Sequence, residues 1–201
     1  MAATRKGWAS YAFRKGNGRA AASGDSTSRL RRSFKPRLVY GAVDEQSVRD
    51  AFARHAGGVV VVSARVGAGF RGLTATSFIS VSLEPPLVVV ALDRFAATRD
   101  AVVDGRKFNV SVLEAAQEFV ADRFAGRAPM VDPSWLEVGH VIGANGLPII
   151  AGSVAWFECA VETVVEGGDH DLVVGSVTDV GVGSGEPLVL WDRSFWRLGG
   201  R

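Results

Sequence analysis

The sequence contains a single cysteine, Cys159, among its 201 residues, so no disulfide can form within the chain. Such sparse use of cysteine is typical of a reducing compartment and predicts a cytoplasmic protein. No stretch reaches the roughly 18 consecutive apolar residues that a membrane-spanning helix requires, which predicts no membrane partner. Cys159 lies in the mostly apolar run of residues 155–161, and this context predicts a small buried side chain rather than a nucleophile.

Histidine is also scarce, and the three histidines, His55, His140 and His170, lie far apart. The motifs H-E-x-x-H, C-x-x-C and G-x-S-x-G are absent, which argues against metal-dependent hydrolysis and triad catalysis. The run Asp169-His170-Asp171 holds metal-binding residue types, but three adjacent side chains cannot all face one ion on an extended turn. We therefore predict no metal site here, and a hairpin turn from which only one of the three side chains contributes to a functional site.

Positive charge is concentrated at one end of the chain. Residues 1–37 carry ten lysines and arginines against one acid, Asp25, whereas the remainder carries 13 basic and 20 acidic residues. We predict a disordered basic tail over residues 1–36, followed by one domain over residues 37–201. Because the basic residues lie in a segment that cannot build a core, they do not indicate a nucleic-acid-binding domain. An organelle-targeting segment and weak contact with an anion or nucleic acid remain alternatives for the tail.

One glycine motif imitates a dinucleotide-binding fingerprint. Residues 67–72 read G-A-G-F-R-G after an apolar run, and Asp93 follows 21 residues later. In a true fingerprint the last glycine opens a helix whose N-terminal amides hold a pyrophosphate. Here residues 73–83 are rich in β-branched and hydroxyl side chains, and Pro85-Pro86 follows them. This composition predicts strands joined by a glycine-rich hairpin turn, not a nucleotide-binding helix.

The pattern of apolar residues predicts a mainly β domain. Asp44 is the expected N-cap of a helix that ends near Gly57. Seven stretches have the length and composition of strands: residues 59–65, 73–82, 87–92, 107–113, 152–166, 172–182 and 188–191. Two short helices are predicted near residues 99–103 and over residues 114–124, and residues 126–150 form the longest irregular connection. Six or seven strands with two or three short helices predict a closed or partly closed Greek-key barrel.

A hydroxyl-rich segment precedes the third predicted strand. Its serines and threonines supply short donors that can bond an anion or the polar edge of a ring: Thr74, Thr76, Ser77, Ser80 and Ser82. The uninterrupted apolar run of residues 87–92 predicts a fully buried strand. Arg94 and Thr98 in the next loop, the loop of residues 122–126 and a turn histidine complete a set that suits a phosphorylated planar cofactor.

Four segments of the chain, taken in order, carry a family resemblance. They are R-G-L-T-A-T-S-F-I-S-V-S at residues 71–82 with Pro85-Pro86, K-F-N-V-S-V-L at 107–113, R-F-A-G at 123–126 and G-D-H at 168–170. Together they resemble the flavin reductase-like family, over residues 45–198. The resemblance implies an FMN-binding split barrel, usually a homodimer, that uses NADH or NADPH to reduce free FMN or FAD. The reduced flavin then diffuses to a partner monooxygenase.

The resemblance also implies which residues meet the flavin ring and the nicotinamide. It assigns the edge of the ring to Thr74, Ala75, Thr76 and Ser77. Phe124 would border the ring, and His170 would stand near the nicotinamide. No catalytic side chain is obligatory, because hydride passes between two cofactors that carry the chemistry themselves.

A second group of residues is implied for the rest of the flavin. The resemblance places the ribityl chain and phosphate near Ser80, Val81 and Ser82. Arg94 and Thr98 would meet the phosphate from the next loop. Many members of the family have a serine shortly before that threonine, whereas this chain has Ala96-Ala97, and the missing hydroxyl would weaken flavin retention.

Two other functions remain open at this point. One is a non-catalytic module that binds or carries FMN without turning over a nicotinamide. The other is a split-barrel oxidase that holds FMN tightly and acts on a small substrate.

Overall fold

The computed structural model describes residues 43–126 and 135–199, all within one compact unit, Val43–Arg201. The predicted basic tail, residues 1–36, lies outside the described residues. Three helices are present in the described ranges: α1 (Glu45–Ala53), α2 (Ala97–Gly105) and α3 (Glu118–Phe124). None of them is long and apolar enough to cross a membrane. The described strands are β1 (Gly57–Gly58), β2 (Val60–Val66), β3 (Gly69–Ala75), β4 (Ile79–Leu83), β5 (Pro86–Asp93), β6 (Lys107–Val112), β7 (His140–Ile142), β8 (Pro148–Ile150), β9 (Ala155–Gly167), β10 (His170–Val182), β11 (Val189–Trp191) and β12 (Ser194–Trp196).

Seven of the strands form one antiparallel sheet in the order β3-β2-β6-β9-β10-β5-β4. Strands β3 and β4 are consecutive in the chain yet lie at opposite edges, and only residues 76–78 join them. A flat seven-stranded sheet is roughly 29 Å across, whereas four residue steps span at most roughly 14 Å. The sheet must therefore curl until its edges approach each other. The predicted mainly β fold is confirmed, and the glycine motif of residues 67–72 forms the turn of the β2–β3 hairpin and the start of β3.

The prediction of one strand over residues 73–82 is wrong. The chain leaves the first edge of the sheet after Ala75 and joins the opposite edge at Ile79. Between them, Ser77 hydrogen bonds with Ala91 of β5, and Phe78 packs against Phe157 with ring centroids 5.2 Å apart. The alternation of polar and apolar residues breaks at this crossing, where Thr76-Ser77 are both polar and Phe78-Ile79 are both apolar. Such a break marks an interruption of the strand, but it does not show that the chain moves to the opposite edge of the sheet.

Alternate residues of the strands fill the interior of the barrel, as the two-residue period of a strand requires. Phe108 and Val110 of β6 are fully buried, and α2 covers the same core with Ala101 and Val102. Cys159 also lies in this core, and burial raises the pKa of its thiol to about 12, so the predicted inert, buried cysteine is confirmed.

Strand β5 is buried on one face only, so the prediction of a fully buried strand is wrong. Val88, Val90 and Leu92 are buried, whereas the residues between them are half-buried. The half-buried face of this strand borders a cleft, and Ala91 contributes to the lining of that cleft. An unbroken apolar run can therefore belong to a strand whose second face meets a cleft rather than a second layer.

A second apolar cluster lies outside the barrel, where α3 packs near the small sheet β1-β11-β12. Helix α3 begins at Glu118, four residues later than predicted. Instead of entering the helix, Glu114 folds back: its carboxylate accepts from the N–H of Ala116 at 2.7 Å, and its own N–H donates to Gln117 at 2.8 Å. Such local side-chain bonds compete with a helical start. The connection predicted as irregular contains the β7–β8 hairpin, and residues 127–134 lie outside the described ranges.

Candidate functional site

A cleft of ≈ 340 Å³ opens where the chain crosses from β3 to β4. Its lining combines the end of β3, the end of β5, the β9–β10 turn and the β11–β12 hairpin. Five residues assigned from the sequence line it together: Thr74, Ala75, Thr76, Ser77 and His170. The closure of the barrel brings these residues into one cleft, although His170 is far from the others in the chain.

Two hydroxyls of the cleft already use their only hydrogen atom inside the protein. Thr74 Oγ1 donates to the carbonyl oxygen of Ala121 at 2.7 Å, and Ser77 Oγ donates to that of Ala91 at 2.9 Å. The N–H of Ala91 in turn donates to Ser77 Oγ at 3.1 Å. A hydroxyl carries one donor, so toward a ligand Thr74 and Ser77 can only accept. Their main role is to hold the cleft wall, and the exposed Thr76 is the hydroxyl left to donate.

His170 faces the cleft because of the strand register. It pairs with Asp93 of β5, and residues directly opposite each other in an antiparallel pair share a face. The side chain is 42% exposed, and Nδ1 lies 2.7 Å from Oδ1 of Asp169. The hydrogen bond from His170 holds the pKa of Asp169 below its usual range. The next residue, Asp171, is buried on the opposite face, so the predicted hairpin turn does not direct its three polar side chains to one point.

Six assigned residues lie outside the cleft lining within the described structure. Ser80, Val81 and Ser82 are on β4, and Ser82 Oγ accepts from the N–H of Glu84 at 3.2 Å. Arg94 lies next to the cleft but faces two acids, with Nη2 at 3.3 Å from Glu166 Oε1.

The remaining two of the six, Thr98 and Phe124, are buried, with 4% and 5% of their surface exposed. Both pack against Gly72: the Thr98 hydroxyl is 3.5 Å from its carbonyl oxygen, and the Phe124 ring lies over its Cα. These two residues therefore support β3 from behind.

Part of the cleft lining was not predicted from the sequence. Asp93 and Ala91 come from the end of β5, and Leu190 and Phe195 come from the C-terminal hairpin. Asp93 is the first polar residue after an apolar run, a signal that could have pointed to a strand end at a site. The three-residue strands of the hairpin are too short for a periodic pattern, so Leu190 and Phe195 carried no such signal.

The residues of the cleft fit a planar ring with a polar edge. Apolar side chains such as Leu73, Leu190 and Phe195 supply the walls, and Thr76, Asp93 and His170 supply polar groups, the usual combination in small-molecule sites. No described lining residue is Lys or Arg, so a phosphate would have to be neutralised outside the cleft, where Arg94 lies. The donor set thus fits the ring of a flavin better than its phosphate.

Comparison with known proteins agrees with this fit. A model of the flavin reductase like domain matches residues 52–199. Among curated relatives, the reductase component of 4-hydroxyphenylacetate 3-monooxygenase from Thermus thermophilus is 41% identical over 155 residues, which are 77% of this chain and 97% of that protein.

Solved structures of flavin reductases share the fold. The NADH:FAD oxidoreductase of Streptomyces globisporus superposes with a TM-score of 0.73 at 38% identity, covering 80% of this chain and 96% of that one. The flavin reductase component of a bacterial two-component tryptophan halogenase gives 0.72 at 36% identity, over 79% of this chain and 100% of that one.

Proposed function

Because the match over residues 52–199 shows that the chain belongs to the flavin reductase-like family, we propose that it reduces free FMN or FAD with NADH or NADPH. The reduced flavin then serves a partner monooxygenase. The observation that carries this proposal is the cleft at the β3–β4 crossing. It brings the segment of residues 74–77, which can border a flavin ring, together with His170. The Thermus thermophilus relative, a reductase component of a monooxygenase, supports the same function.

In this proposal the chain binds and orients two substrates. The ring edge of the flavin lies along Thr74, Ala75, Thr76 and Ser77, and His170 contacts the nicotinamide. Flavin and nicotinamide supply the hydride transfer themselves once they are bound. The chain needs only to hold them in contact and then release the product.

The other assigned residues keep more distant roles in the proposal. Phe124 and Thr98 support the ring-binding edge through Gly72, because both are buried against it. Arg94 binds a phosphate by giving up its ion pair with Glu166. That pair is exposed, and exposed ion pairs contribute little to stability. Contact of the ribityl chain with Ser80, Val81 and Ser82 stays a prediction.

Mixing the purified protein with NADH and excess FMN tests the function. We expect rapid loss of the absorbance of the reduced nicotinamide over many turnovers, with a rate that depends on added flavin. A flavin-coloured protein that leaves NADH untouched would favour the carrier. Turnover of a small substrate by tightly held FMN, without dependence on added flavin, would favour the oxidase. Repeating the assay with FAD and with NADPH assigns the preferred pair.

Replacing His170 by alanine should raise the KM for NADH about tenfold while the KM for flavin changes little. The reason is that the imidazole of His170, next to the β9–β10 turn, faces the cleft. A tenfold rise in KM corresponds to a loss of about 1.4 kcal/mol of binding free energy. Steady-state kinetics with each substrate varied in turn measures both constants. His55→Ala is the control, because His55 is exposed after α1 and does not line the cleft. Equal KM values for NADH in the two variants would remove the assigned role.

We also propose that the chain forms a homodimer. Ile79, Val81 and Leu83 on the edge strand β4 are 59%, 54% and 95% exposed. Apolar residues on an uncovered sheet edge are unusual for a monomer, because such an edge favours association. The cytoplasmic location stays a prediction from the single cysteine.

A further inference from the structure

A buried carboxylate lies one residue beyond His170. Asp171 is 1% exposed, and Nε of Arg99 in α2 donates to its Oδ2 at 2.6 Å, with a second contact from Nη2. The other oxygen, Oδ1, has no hydrogen-bond partner among the described residues, and Nε of Arg94 lies 3.8 Å from it. A buried ion pair is often no more stabilising than apolar residues of similar volume, so stability alone does not explain this one.

Arg94 connects the same carboxylate to the turn and to the loop at the cleft. Its backbone N–H donates to the carbonyl oxygen of Asp169 at 3.0 Å, and its side chain reaches Glu166 of β9 as well as Asp171. The loop before α2 therefore meets the β9–β10 turn at this point. Asp93 ends β5 directly before that loop, and His170 begins β10 directly after that turn. These are the two ionisable side chains in the described lining of the cleft.

We propose that Asp171, held by Arg99, is a positioning residue for nicotinamide binding, which fixes the turn carrying His170 relative to the loop carrying Asp93. It acts through the backbone, because consecutive side chains of a strand point to opposite faces and His170 alone of the two reaches the cleft. This inference rests on the proposed function, in which His170 contacts the nicotinamide.

Asp171→Asn tests the proposal, since it keeps the shape of the side chain and removes the charge that holds Arg99. We expect the KM for NADH to rise about tenfold, with kcat and the KM for FMN within about twofold of the parent. Asp100→Asn is the matched control: Asp100 binds the same arginine, with Nη1 to Oδ1 at 2.9 Å, but it is 63% exposed. Unchanged KM values in Asp171→Asn, or an equal rise for NADH and FMN, would overturn the proposal.

Hydrogen exchange gives a readout that does not depend on activity. The amide of Arg94 reports directly on the junction between loop and turn, because its acceptor is Asp169. We expect this amide to exchange about tenfold faster in Asp171→Asn and at the parent rate in Asp100→Asn. Arg99→Lys keeps the positive charge but loses the two-nitrogen contact, so it should show the same change in milder form and decides the matter if Asp171→Asn does not fold.

The two readouts separate failure of the inference from failure of the proposed function. A parent protein that leaves NADH untouched, combined with faster Arg94 exchange in Asp171→Asn, would contradict the function and support the positioning of the turn. Parent activity combined with unchanged exchange would overturn the positioning role and leave the function standing. Faster exchange with an unchanged KM for NADH would show that the junction does not serve the nicotinamide.

Discussion

Replacing Glu158 by alanine should lower the free energy of unfolding by about 2–4 kcal/mol. Glu158 lies on β9 and is 2% exposed. Its Oε1 accepts from the N–H of Ala144 at 2.8 Å, and its Oε2 accepts from that of Asn145 at 2.9 Å. Alanine would leave both donors of the β7–β8 turn without their acceptor and would open a cavity beneath them. Urea denaturation followed by fluorescence measures the loss.

The β7–β8 turn packs so closely on the Glu158 carboxylate that a side chain at Gly143 would collide with it. A Cβ on Gly143 would lie 2.0 Å from Glu158 Oε1, so the turn rests directly on the carboxylate. Lys107 and Asn109 of β6 fasten the same turn, through bonds to the carbonyl oxygens of Asn145 and Leu147 at 2.6 and 3.2 Å. The hairpin is thus held by buried polar contacts in addition to apolar packing.

Two variants on the same strand control this prediction. Glu162 is exposed, so Glu162→Ala should change the unfolding free energy by no more than about 0.5 kcal/mol. Glu158→Gln keeps one acceptor but turns an amide N–H₂ toward a donor, so its loss should be intermediate. If Glu158→Ala proved as stable as Glu162→Ala, the turn would not depend on the carboxylate.

Local signals in the sequence predict much of the fold. Asp44 is the N-cap of α1, and its side chain accepts from the N–H of Ser47 at 2.9 Å as a capping aspartate does. The glycines of residues 67–72 form a hairpin. The central strands β2 and β6 appear close to their predicted bounds because each is a short run rich in β-branched and apolar residues, and both are buried on both faces. Each of these features is decided by residues that are neighbours in the chain.

The sequence pattern does not show which distant segments of the chain contact each other. Glu158 stands in the otherwise apolar run of residues 155–161, and no residue near it in the sequence indicates that a turn 13 to 14 residues earlier will supply its donors. The hydroxyls of Thr74 and Ser77 resemble ligand donors, yet they bond to Ala121 and Ala91, which only the closed barrel brings near. The proximity of His170 to these residues likewise follows from closure of the barrel. The sequence pattern marked His170 only as the histidine of a turn, and the family resemblance gave its expected place near the nicotinamide.

Replacing Gly72 by alanine should lower the free energy of unfolding by about 1–3 kcal/mol and weaken flavin binding about tenfold. A Cβ at this position would lie 2.5 Å from Cδ1 and 2.6 Å from Cε1 of Phe124. The ring cannot yield easily, because it is 5% exposed and packs on Trp135 with centroids 4.8 Å apart. Displacing Phe124 would shift α3, to which Thr74 of the cleft wall is bonded through Ala121. Denaturation and fluorescence titration with FMN measure the two effects.

A glycine on the same strand provides the control for this variant. The nearest atom to a Cβ on Gly69 is 3.8 Å away, an ordinary contact, so Gly69→Ala should change stability by no more than about 0.5 kcal/mol. A double-mutant cycle then identifies the cause: combining Gly72→Ala with Phe124→Leu should cost less than the sum of the two single changes, because the smaller side chain makes room for the new methyl group. Strict additivity, or a Gly72→Ala variant as stable as Gly69→Ala, would contradict the prediction. Either result would mean that the close approach of β3 to Phe124 does not restrict which residue position 72 can hold.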